Sequence, residues 1–236
     1  MHQRLDTADA AIVAARVAVP ETLGAYGPVK RALDVSVSLV ALMVCLPVFI
    51  FAALLIKLDT PGPVFYRQHR RGLGGELFSI WKFRTMVDFR PRTSDSAVTL
   101  PLDARITRLG KFLRDSKIDE LPQLLNILAG DMSIIGPRPL SEQESCNIES
   151  LGFSSNHPGF IHSVRPGMIG LEQIMRRRFE GGLDYANRFQ LNCEYAHKFS
   201  WRLDAYIFAV ALIQCRLVCS LAAISAAAEM VLFCSM

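Results

Sequence analysis

An uncharged stretch of 22 residues, from Val35 to Ile56, constrains the fold of this chain more than any other feature. Lys30, Arg31 and Asp34 precede the stretch, and Lys57 follows it. A helix of about 20 apolar residues is long enough to cross the hydrocarbon core of a bilayer. The sequence therefore predicts a helix that contacts a membrane, and the high share of hydrophobic residues in the whole chain, 51%, agrees with this prediction.

Two arrangements of this helix fit the residues. Pro47, near the middle, removes a backbone hydrogen bond and bends a helix. Basic residues flank both ends, and because cytoplasmic flanks of membrane helices are rich in Lys and Arg, both ends are expected in the cytoplasm. A Pro-bent re-entrant helix over residues 30–58 satisfies both observations, whereas a straight span satisfies the length alone. The residues leave both arrangements open, and we take the re-entrant helix as the expectation.

Positive charge is concentrated between Lys57 and Lys117, which hold 13 Lys and Arg but only 6 Asp and Glu. Such an excess attracts phosphates, anionic lipids or nucleic acid, or it is a solvated basic surface. We expect no nucleic-acid partner, because no zinc-finger spacing and no RNP-like aromatic motif accompanies the charge. The six cysteines include no C-x-x-C pair, which favours a reducing cytosolic environment over a disulfide framework.

The remaining patterns predict an α-rich α+β fold. Aromatic and β-branched runs at Val64–Gln68 and Leu77–Phe83, separated by a glycine-rich loop, predict a β-hairpin. The apolar spacing from Ile106 to Leu113, with basic residues in between, predicts an amphipathic helix that suits a membrane interface or a solvated surface. Residues 205–236 are apolar but interrupted by charge, which favours an interfacial segment over a second span.

Two adjacent carboxylates, Asp119 and Glu120, precede Pro122 and a helical spacing of leucines that ends before Gly130. Because Pro is tolerated in the first turn of a helix, a helix is expected to begin near Asp119. Unpaired N–H groups at a helix start favour ionised carboxylates, which keeps at least one of the two available as a nucleophile or Mg²⁺ ligand. A capping acid beside a solvated neighbour is the other interpretation of these residues.

Three cations are candidates for phosphate contacts. Arg138 lies between two prolines, which restrict the backbone, so its guanidinium can be presented to a phosphate with little ordering cost. A rigid turn whose Arg pairs with a carboxylate explains the same triplet. Lys82 and Arg84 close the second predicted strand and could contact a phosphate, although solvated cations are common at strand ends.

Seven short motifs in this order together resemble one family. They are Lys30-Arg31-x-x-Asp34, Pro61-Gly62-Pro63-Val64-Phe65, Lys82-Phe83-Arg84-Thr85-Met86, Asp119-Glu120-Leu121-Pro122-Gln123, Gly130-Asp131-Met132-Ser133, Gly136-Pro137-Arg138-Pro139 and Arg165-Pro166-Gly167. The set resembles the bacterial sugar transferases, and more specifically the small monotopic polyprenyl-phosphate phosphoglycosyl transferases that start exopolysaccharide repeat units. The resemblance runs from about Lys30 to Asp204. It implies a lead at 1–29, a membrane helix at 30–58, a catalytic domain at 59–204 and an interfacial segment at 205–236.

The resemblance also implies a reaction, the transfer of a hexose-1-phosphate from a UDP-sugar to polyprenyl (undecaprenyl) phosphate at the cytoplasmic face of a bacterial inner membrane. The Asp119 carboxylate is expected to attack the sugar-linked phosphate, which releases UMP and leaves a covalent phosphosugar for the lipid phosphate to attack. Glu120 is expected to assist, with Mg²⁺ held by both acids. Arg114 and Arg138 are expected to hold phosphates, with Lys82 and Arg84 as further candidates and Pro47 as the membrane bend.

Three positions depart from the pattern of the family. Leu46 precedes Pro47 where Ser is frequent, so the bend lacks a hydroxyl that could satisfy freed carbonyls. Ile169 stands in the place of a Thr, and Glu172 stands where a small or apolar residue is common. These departures bear on sugar selectivity and C-terminal packing more than on the phosphoryl chemistry.

Two other classes of protein fit parts of the sequence. A catalytically silent membrane scaffold or regulator of polysaccharide assembly would have no need of Asp119, Glu120, Arg114 and Arg138 together. A basic peripheral protein that binds lipid or nucleic acid would leave the paired acids unexplained. A homodimer is compatible with the sequence, which does not specify the hexose.

Overall fold

A computed structural model of the chain describes residues 26–87, 103, 105–141, 144–145, 161–175 and 185–214. In chain order the elements are α1 (Tyr26–Asp59), β1 (Phe65–Arg71), β2 (Leu77–Phe83), α2 (Arg108–Asp115), α3 (Gln123–Ala129), β3 (Ser133–Ile135), β4 (Gly167–Ile169), α4 (Leu171–Met175), α5 (Tyr185–His197) and α6 (residues 201–214). The structure is rich in helix and has small sheets, in agreement with the predicted class. Most of the predicted lead, residues 1–25, and residues 215–236 lie outside the described part.

The helix α1 is 34 residues long and continues through Pro47. At 1.5 Å per residue it measures roughly 51 Å, more than the ~30 Å of a bilayer core. Within the described ranges it is the one helix that is long and apolar enough, by length and composition, to cross a membrane. It begins four residues before the predicted start at Lys30, and its path in a membrane stays a prediction.

One stripe of α1 is buried against the rest of the protein. Asp34, Ser38, Ala52 and Ile56 are spaced so that they lie on one side of the helix, and all four are buried. The other sides of α1 expose apolar side chains along its whole length, among them Leu33, Val37, Val40, Met43, Val44, Leu46, Ile50, Phe51, Leu54 and Leu58. An exposed apolar surface of this extent is typical of membrane contact.

The charged residues that precede the apolar stretch join α1 to the rest of the protein. Lys30 forms an ion pair with Asp204 of α6, at 2.5 Å between Nζ and Oδ2. The other carboxyl oxygen of Asp204 accepts a hydrogen bond from the Tyr195 hydroxyl at 2.6 Å. Because all three groups are largely withdrawn from solvent, the start of α1 is fixed to α5 and α6 by charge-assisted hydrogen bonds.

Arg31 and Asp34 fix the same end of α1 to α3 and β3. Arg31 donates to the carbonyls of Ile127 and Leu128, at 2.6 and 3.0 Å, in the last turn of α3, where the Ile127 carbonyl also accepts the N–H of Gly130 at 3.1 Å. The buried carboxylate of Asp34 accepts the backbone N–H of Ile134 at 3.0 Å. The Lys-Arg-x-x-Asp motif therefore connects a membrane helix to a polar domain.

The predicted hairpin is confirmed. β1 and β2 are antiparallel, with a register that runs from Phe65 opposite Phe83 to Arg71 opposite Leu77. The connecting turn contains Gly74 and Gly75, whose φ angles of 67° and 80° suit residues without a Cβ. β1 extends three residues past the predicted end at Gln68, which adds Arg70 to the side of the hairpin that carries Lys82.

The helix α3 is joined to the open edge of β2 by one side chain. Asn126, which is 1% exposed, accepts the N–H of Trp81 at 3.0 Å and donates to the carbonyl of Ser79 at 2.8 Å. These are the two backbone groups that a neighbouring strand would otherwise pair, so the amide of Asn126 replaces a strand at this position.

A second sheet was not predicted. β3 and β4 form a short parallel pair, Ser133 opposite Gly167 and Ile135 opposite Ile169. A Cβ added to Gly167 would lie 2.0 Å from the backbone nitrogen of Gly136, so only glycine allows these two backbones to approach. This contact brings the Gly136-Pro137-Arg138-Pro139 turn against the Arg165-Pro166-Gly167 segment. β3, α4, α5 and α6 then enclose the largest apolar cluster, which includes Ile135, Tyr195 and Ile207.

The role of Asn126 can be tested by denaturation. Asn126→Ala leaves the Trp81 N–H and the Ser79 carbonyl buried without partners, so we expect the free energy of unfolding to fall by about 2–4 kcal/mol. Leu125→Ala is the matched control, because Leu125 is the exposed neighbour on the same helix, and it should change stability by less than about 1 kcal/mol. Equal losses in the two variants, measured on the detergent-solubilised protein, would contradict the proposed replacement of a strand.

Candidate active site

The paired carboxylates lie in a tight turn between two helices. The chain leaves α2 at Ser116, and Lys117 adopts a left-handed conformation with φ of 62°. A 3₁₀ turn follows over Ile118–Glu120, and α3 begins only at Gln123, after Pro122. The expectation of an α-helix that starts near Asp119 is therefore wrong by four residues. The reversal at Lys117 turns Asp119 inward, where it is 8% exposed.

Glu120 is held by a cation from the hairpin. Lys82 Nζ of β2 lies 2.9 Å from Glu120 Oε1, and both side chains are largely buried. Burial acts to raise the pKa of Glu120, but the positive charges of Lys82, Lys117 and Arg138 and the hydrogen bond from Lys82 outweigh it, and the pKa is lowered. Glu120 is thus held as a carboxylate, as the sequence predicts for at least one of the two acids.

Asp119 has the opposite electrostatic character. Burial, and then repulsion by Glu120, raise the pKa of Asp119 above its ordinary value, against the opposing charges of Lys82, Lys117 and Arg114. Its Oδ1 atom is buried and accepts no hydrogen bond from the described residues. An ionised, desolvated oxygen without a donor is a costly group to maintain, and such a group is a candidate nucleophile or metal ligand.

Two predicted arginines act on different members of the pair of acids. Arg114 donates from Nε to the Thr85 hydroxyl at 2.7 Å, and its charge acts on Asp119. Arg138 acts on Glu120, and its own Nε is buried without an acceptor among the described residues. The structure thus brings together Asp119, Glu120, Lys82, Arg114 and Arg138, as the sequence predicts.

Arg84 is placed differently. Its guanidinium donates to the carbonyls of Ile56, Thr60 and Pro61, at 3.4, 2.6 and 2.9 Å. These carbonyls belong to the last turn of α1 and the loop after it, and the Ile56 carbonyl also accepts the N–H of Thr60 at 3.2 Å. Because both terminal nitrogens of the buried guanidinium donate to these acceptors, the geometry favours a role in fixing the end of α1. Its Nε is buried without an acceptor among the described residues, and the phosphate contact stays a prediction.

A backbone contact orients Arg138. Its N–H donates to Asn192 Oδ1 of α5 at 3.0 Å, and Glu172 of α4 accepts from Asn192 Nδ2 at 3.4 Å and from Arg188 Nε at 2.8 Å. Glu172 is 3% exposed, so its departure from the family pattern places a buried carboxylate behind the Arg138 turn. The sequence predicted neither this pairing nor the partners, since they come from distant segments.

A small pocket adjoins the pair of acids. Its polar lining consists of Arg70, Lys82, Glu120, Gln123, Arg138 and Gln173. Arg70 was missed from the sequence, although strand alternation could have found it, because positions 66, 68 and 70 share a side of the hairpin with Lys82. Gln123 closes the Asp119-Glu120-Leu121-Pro122-Gln123 motif, which assigned it no role, whereas Gln173 carries no sequence signal and reaches the pocket only through the packing of α4.

The donor set fits Mg²⁺. Oxygen is the ligand that Mg²⁺ prefers, and protein sites usually supply one or two carboxylates while water and substrate phosphates complete the shell. Asp119 and Glu120 supply two carboxylates, and Asp119 Oδ1 has no competing donor within the described part of the chain. The same part contains no group of three or more His, Cys, Asp or Glu that could hold a metal alone. The residues therefore fit a metal shared with a bound diphosphate.

Comparison with known proteins agrees with this geometry. The family profile described as "Bacterial sugar transferase" matches residues 25–216. The chain is 40% identical over 179 residues to a UDP-glucose:undecaprenyl-phosphate glucose-1-phosphate transferase of Xanthomonas campestris pv. campestris, which covers 70% of this chain and 36% of that protein. A protein of the same name from Caulobacter vibrioides is 40% identical over 176 residues, which cover 69% of this chain and 64% of that protein. The "Exopolysaccharide production protein PSS" of Rhizobium leguminosarum bv. phaseoli is 44% identical over 147 residues, covering 61% and 72%.

The protein belongs to the bacterial sugar transferase family, because the match covers most of the chain, including every residue of the site described above. The chain spans 36% and 64% of the length of the first two relatives. The resemblance of the seven motifs is thereby confirmed at the level of the family.

The electrostatics of Asp119 predict a stability change. A raised pKa in the folded state means that folding favours the protonated carboxyl, so this group's contribution to stability is lost as pH rises through the folded pKa. Asp119→Asn keeps the shape without the charge, and we expect it to raise the free energy of unfolding at neutral pH by about 0.5–2 kcal/mol, as stabilising substitutions at functional sites often do. The gain should be small near pH 3.8, the ordinary pKa of Asp, and grow as pH rises. Unfolding at a series of pH values measures this difference, and a constant difference would contradict the assignment.

Proposed function

We propose that this protein transfers a hexose-1-phosphate from a UDP-sugar to polyprenyl (undecaprenyl) phosphate through a covalent intermediate on Asp119, and that this step starts the repeat unit of an exopolysaccharide. The observation that carries the proposal is the buried Oδ1 of Asp119, which accepts no hydrogen bond from the described residues and lies within the field of three cations, Lys82, Lys117 and Arg114. The names of the relatives, which are glucose-1-phosphate transferases onto undecaprenyl phosphate, support the choice of substrates.

In the first half of the reaction, an Asp119 carboxylate oxygen attacks the sugar-linked phosphorus. The bond from this phosphorus to the bridging oxygen breaks, its electron pair leaves with UMP, and an aspartyl phosphosugar forms. In the second half, a phosphate oxygen of the lipid attacks the same phosphorus, the bond to Asp119 breaks, and the carboxylate is regenerated. The products are UMP and a polyprenyl diphosphate sugar, so the two halves balance without any other reactant.

The cations make this attack feasible. A carboxylate that approaches a negatively charged diphosphate is repelled, and fixed positive charges reduce the repulsion while stabilising the charge that develops in the transition state. Lys82 holds Glu120 at 2.9 Å and leaves Asp119 Oδ1 unpaired, which separates the two acids into a paired carboxylate and a reactive one. Mg²⁺ bound by Asp119 and Glu120 would add positive charge to the same phosphates. In this proposal Arg114, whose charge acts on Asp119, and Arg138, whose charge acts on Glu120, hold the phosphates.

The packing of α1 supports an attachment to one leaflet at the cytoplasmic face of the inner membrane. Contacts with the domain begin at Lys30 and continue to Ile56, so the domain follows the helix along most of its length. A helix that crossed the bilayer would carry this domain into the hydrocarbon, which would strip water from its charged groups. A re-entrant path bent at Pro47 instead brings the active site to the depth of a lipid phosphate.

The first test is of the nucleophile. With Mg²⁺ and no lipid acceptor, the protein should release about one UMP per active site from its UDP-sugar, and its mass should rise by one sugar phosphate. UDP-glucose and UDP-N-acetylgalactosamine, the donors named for relatives, come first in the panel. Asp119→Asn should abolish both signals. Asp115→Asn is the matched control, because Asp115 is an exposed acid paired with Lys111 on the surface, and it should retain both.

Two outcomes would overturn parts of this mechanism. Full turnover with lipid, but no adduct and no UMP burst under rapid quench, would mean direct displacement without a covalent intermediate. An adduct mapped to Glu120 would preserve the reaction class and reverse the roles of the two acids.

The second test is of topology. Single cysteines at Pro28 and Asp59, both exposed at the ends of α1, should react with a membrane-impermeant thiol reagent from the same side of sealed vesicles, in a background without the six native cysteines. These positions avoid Gly62, where φ of 123° disfavours any side chain. Labelling from opposite sides would exclude the one-leaflet arrangement.

A further inference from the structure

Arg70 is a buried cation of the active-site pocket that neither the motifs nor the proposed mechanism uses. It lies on β1, on the side of the hairpin that carries Lys82, and it is 9% exposed. Together with Lys82, Glu120 and Arg138 it lines the pocket beside the acids. A buried arginine at this position requires a physical reason, because its charge is costly to desolvate without acceptors.

Its guanidinium is held in a fixed orientation. One terminal nitrogen donates to Glu144 Oε2 at 2.6 Å and to the carbonyl of Pro139 at 3.1 Å, and the other donates to Gln68 Oε1 at 2.8 Å. Nε is buried and has no acceptor among the described residues. The neighbouring groups thus position the arginine through its two terminal nitrogens and leave the Nε–H without an acceptor in the described part of the chain.

A second guanidinium shares the same region. Pro139, which accepts from Arg70, directly follows Arg138, and the Nε of Arg138 is also buried without an acceptor in the described part. Burial lowers the pKa of Arg70, and the charge of Arg138 lowers it further, while Glu144 acts to raise it. Two like charges with two unpaired donors around one pocket are stabilised when an anion binds between them.

We propose that Arg70 and Arg138 form one phosphate site, which binds the phosphate that leaves as the nucleoside monophosphate. This inference rests on the proposed function. The pocket is lined by Glu120 and not by Asp119, so an anion in it is displaced from the nucleophile. In an in-line displacement the leaving oxygen lies opposite the nucleophile. When the bond from the sugar-linked phosphorus to the bridging oxygen breaks, the electron pair stays on the phosphate held by the two arginines.

The probe is UMP, whose affinity for the full-length protein in detergent is measured by calorimetry, with inorganic phosphate and a short-chain polyprenyl phosphate as parallel ligands. The main variant is Arg70→Gln with Glu144→Gln, which removes both partners of the ion pair and leaves no uncompensated buried carboxylate. Glu144→Gln alone retains Arg70. Arg67→Gln is the matched control, because Arg67 lies on the opposite side of the same strand, over the Trp81 ring at 3.6 Å.

We expect the double variant to bind UMP at least about tenfold more weakly and to raise KM for the UDP-sugar, as the loss of charge-assisted hydrogen bonds predicts. Glu144→Gln and Arg67→Gln should stay within about threefold of the wild type. Arg70→Lys keeps the charge but lacks Nε, so it should also lose UMP affinity, and it serves as the test if the double variant does not fold.

Unchanged UMP affinity in a folded Arg70 variant would overturn the inference, and so would an equal loss in Arg67→Gln. If the Arg70 variants lose affinity for polyprenyl phosphate alone, the assignment to the leaving phosphate is overturned. If they lose affinity for inorganic phosphate and for UMP equally, the result supports a site for the phosphate itself. The proposed function is judged separately, by UMP release from the wild-type protein. A wild type that releases UMP while Arg70 variants bind it normally would disprove this inference alone.

Discussion

The attachment of α1 to the domain is the constraint on which the rest of the structure depends. A helix that exposes Leu, Val, Ile and Phe side chains along its length must also hold a domain with a surplus of positive charge. One buried stripe and three charged residues satisfy this requirement. Lys30 pairs with a carboxylate, Arg31 donates to helix-end carbonyls, and Asp34 accepts a backbone N–H. Each ionised group therefore has a partner at the point where the helix meets the domain. Arg84 does the same at the other end of α1.

The candidate active site meets the same requirement, that a buried charged group needs a partner. Two adjacent carboxylates cannot both be buried and ionised without compensation, and the structure compensates them unequally. Lys82 pairs with Glu120, which favours the ionised form of that acid. Asp119 is buried beside a negative neighbour, and its Oδ1 accepts no hydrogen bond within the part of the chain that the structure describes. The hairpin supplies Lys82, the turn after α2 supplies the acids, and the β3–β4 contact brings Arg138 beside them.

The elements that could be predicted from the sequence are those with a local cause. The alternation of aromatic and β-branched residues gives the hairpin, and the apolar spacing gives α2, within one to three residues. The helix start at Asp119 was wrong because Lys117 adopts a left-handed conformation, which makes the acids a separate 3₁₀ turn. The β3–β4 pair joins segments more than 30 residues apart and depends on two glycines in contact, so no local pattern indicates it. The sequence predicts a phosphate contact for Arg84 because its positive charge lies at the end of the second strand. Only the fold shows that its N–H donors bind carbonyls at the end of α1.

The sequence by itself determined that this chain has a long apolar helix, a hairpin, a pair of acids and a set of cations, because residue type and spacing are sufficient for each of these. It also determined the family, since seven ordered motifs rarely occur together by chance. Tertiary structure alone decided which acid is paired with a lysine, since that depends on the 2.9 Å contact of Lys82 with Glu120. It also decided that Arg70 lines the pocket and Arg84 does not, because the direction of a side chain and its burial follow from how distant segments pack.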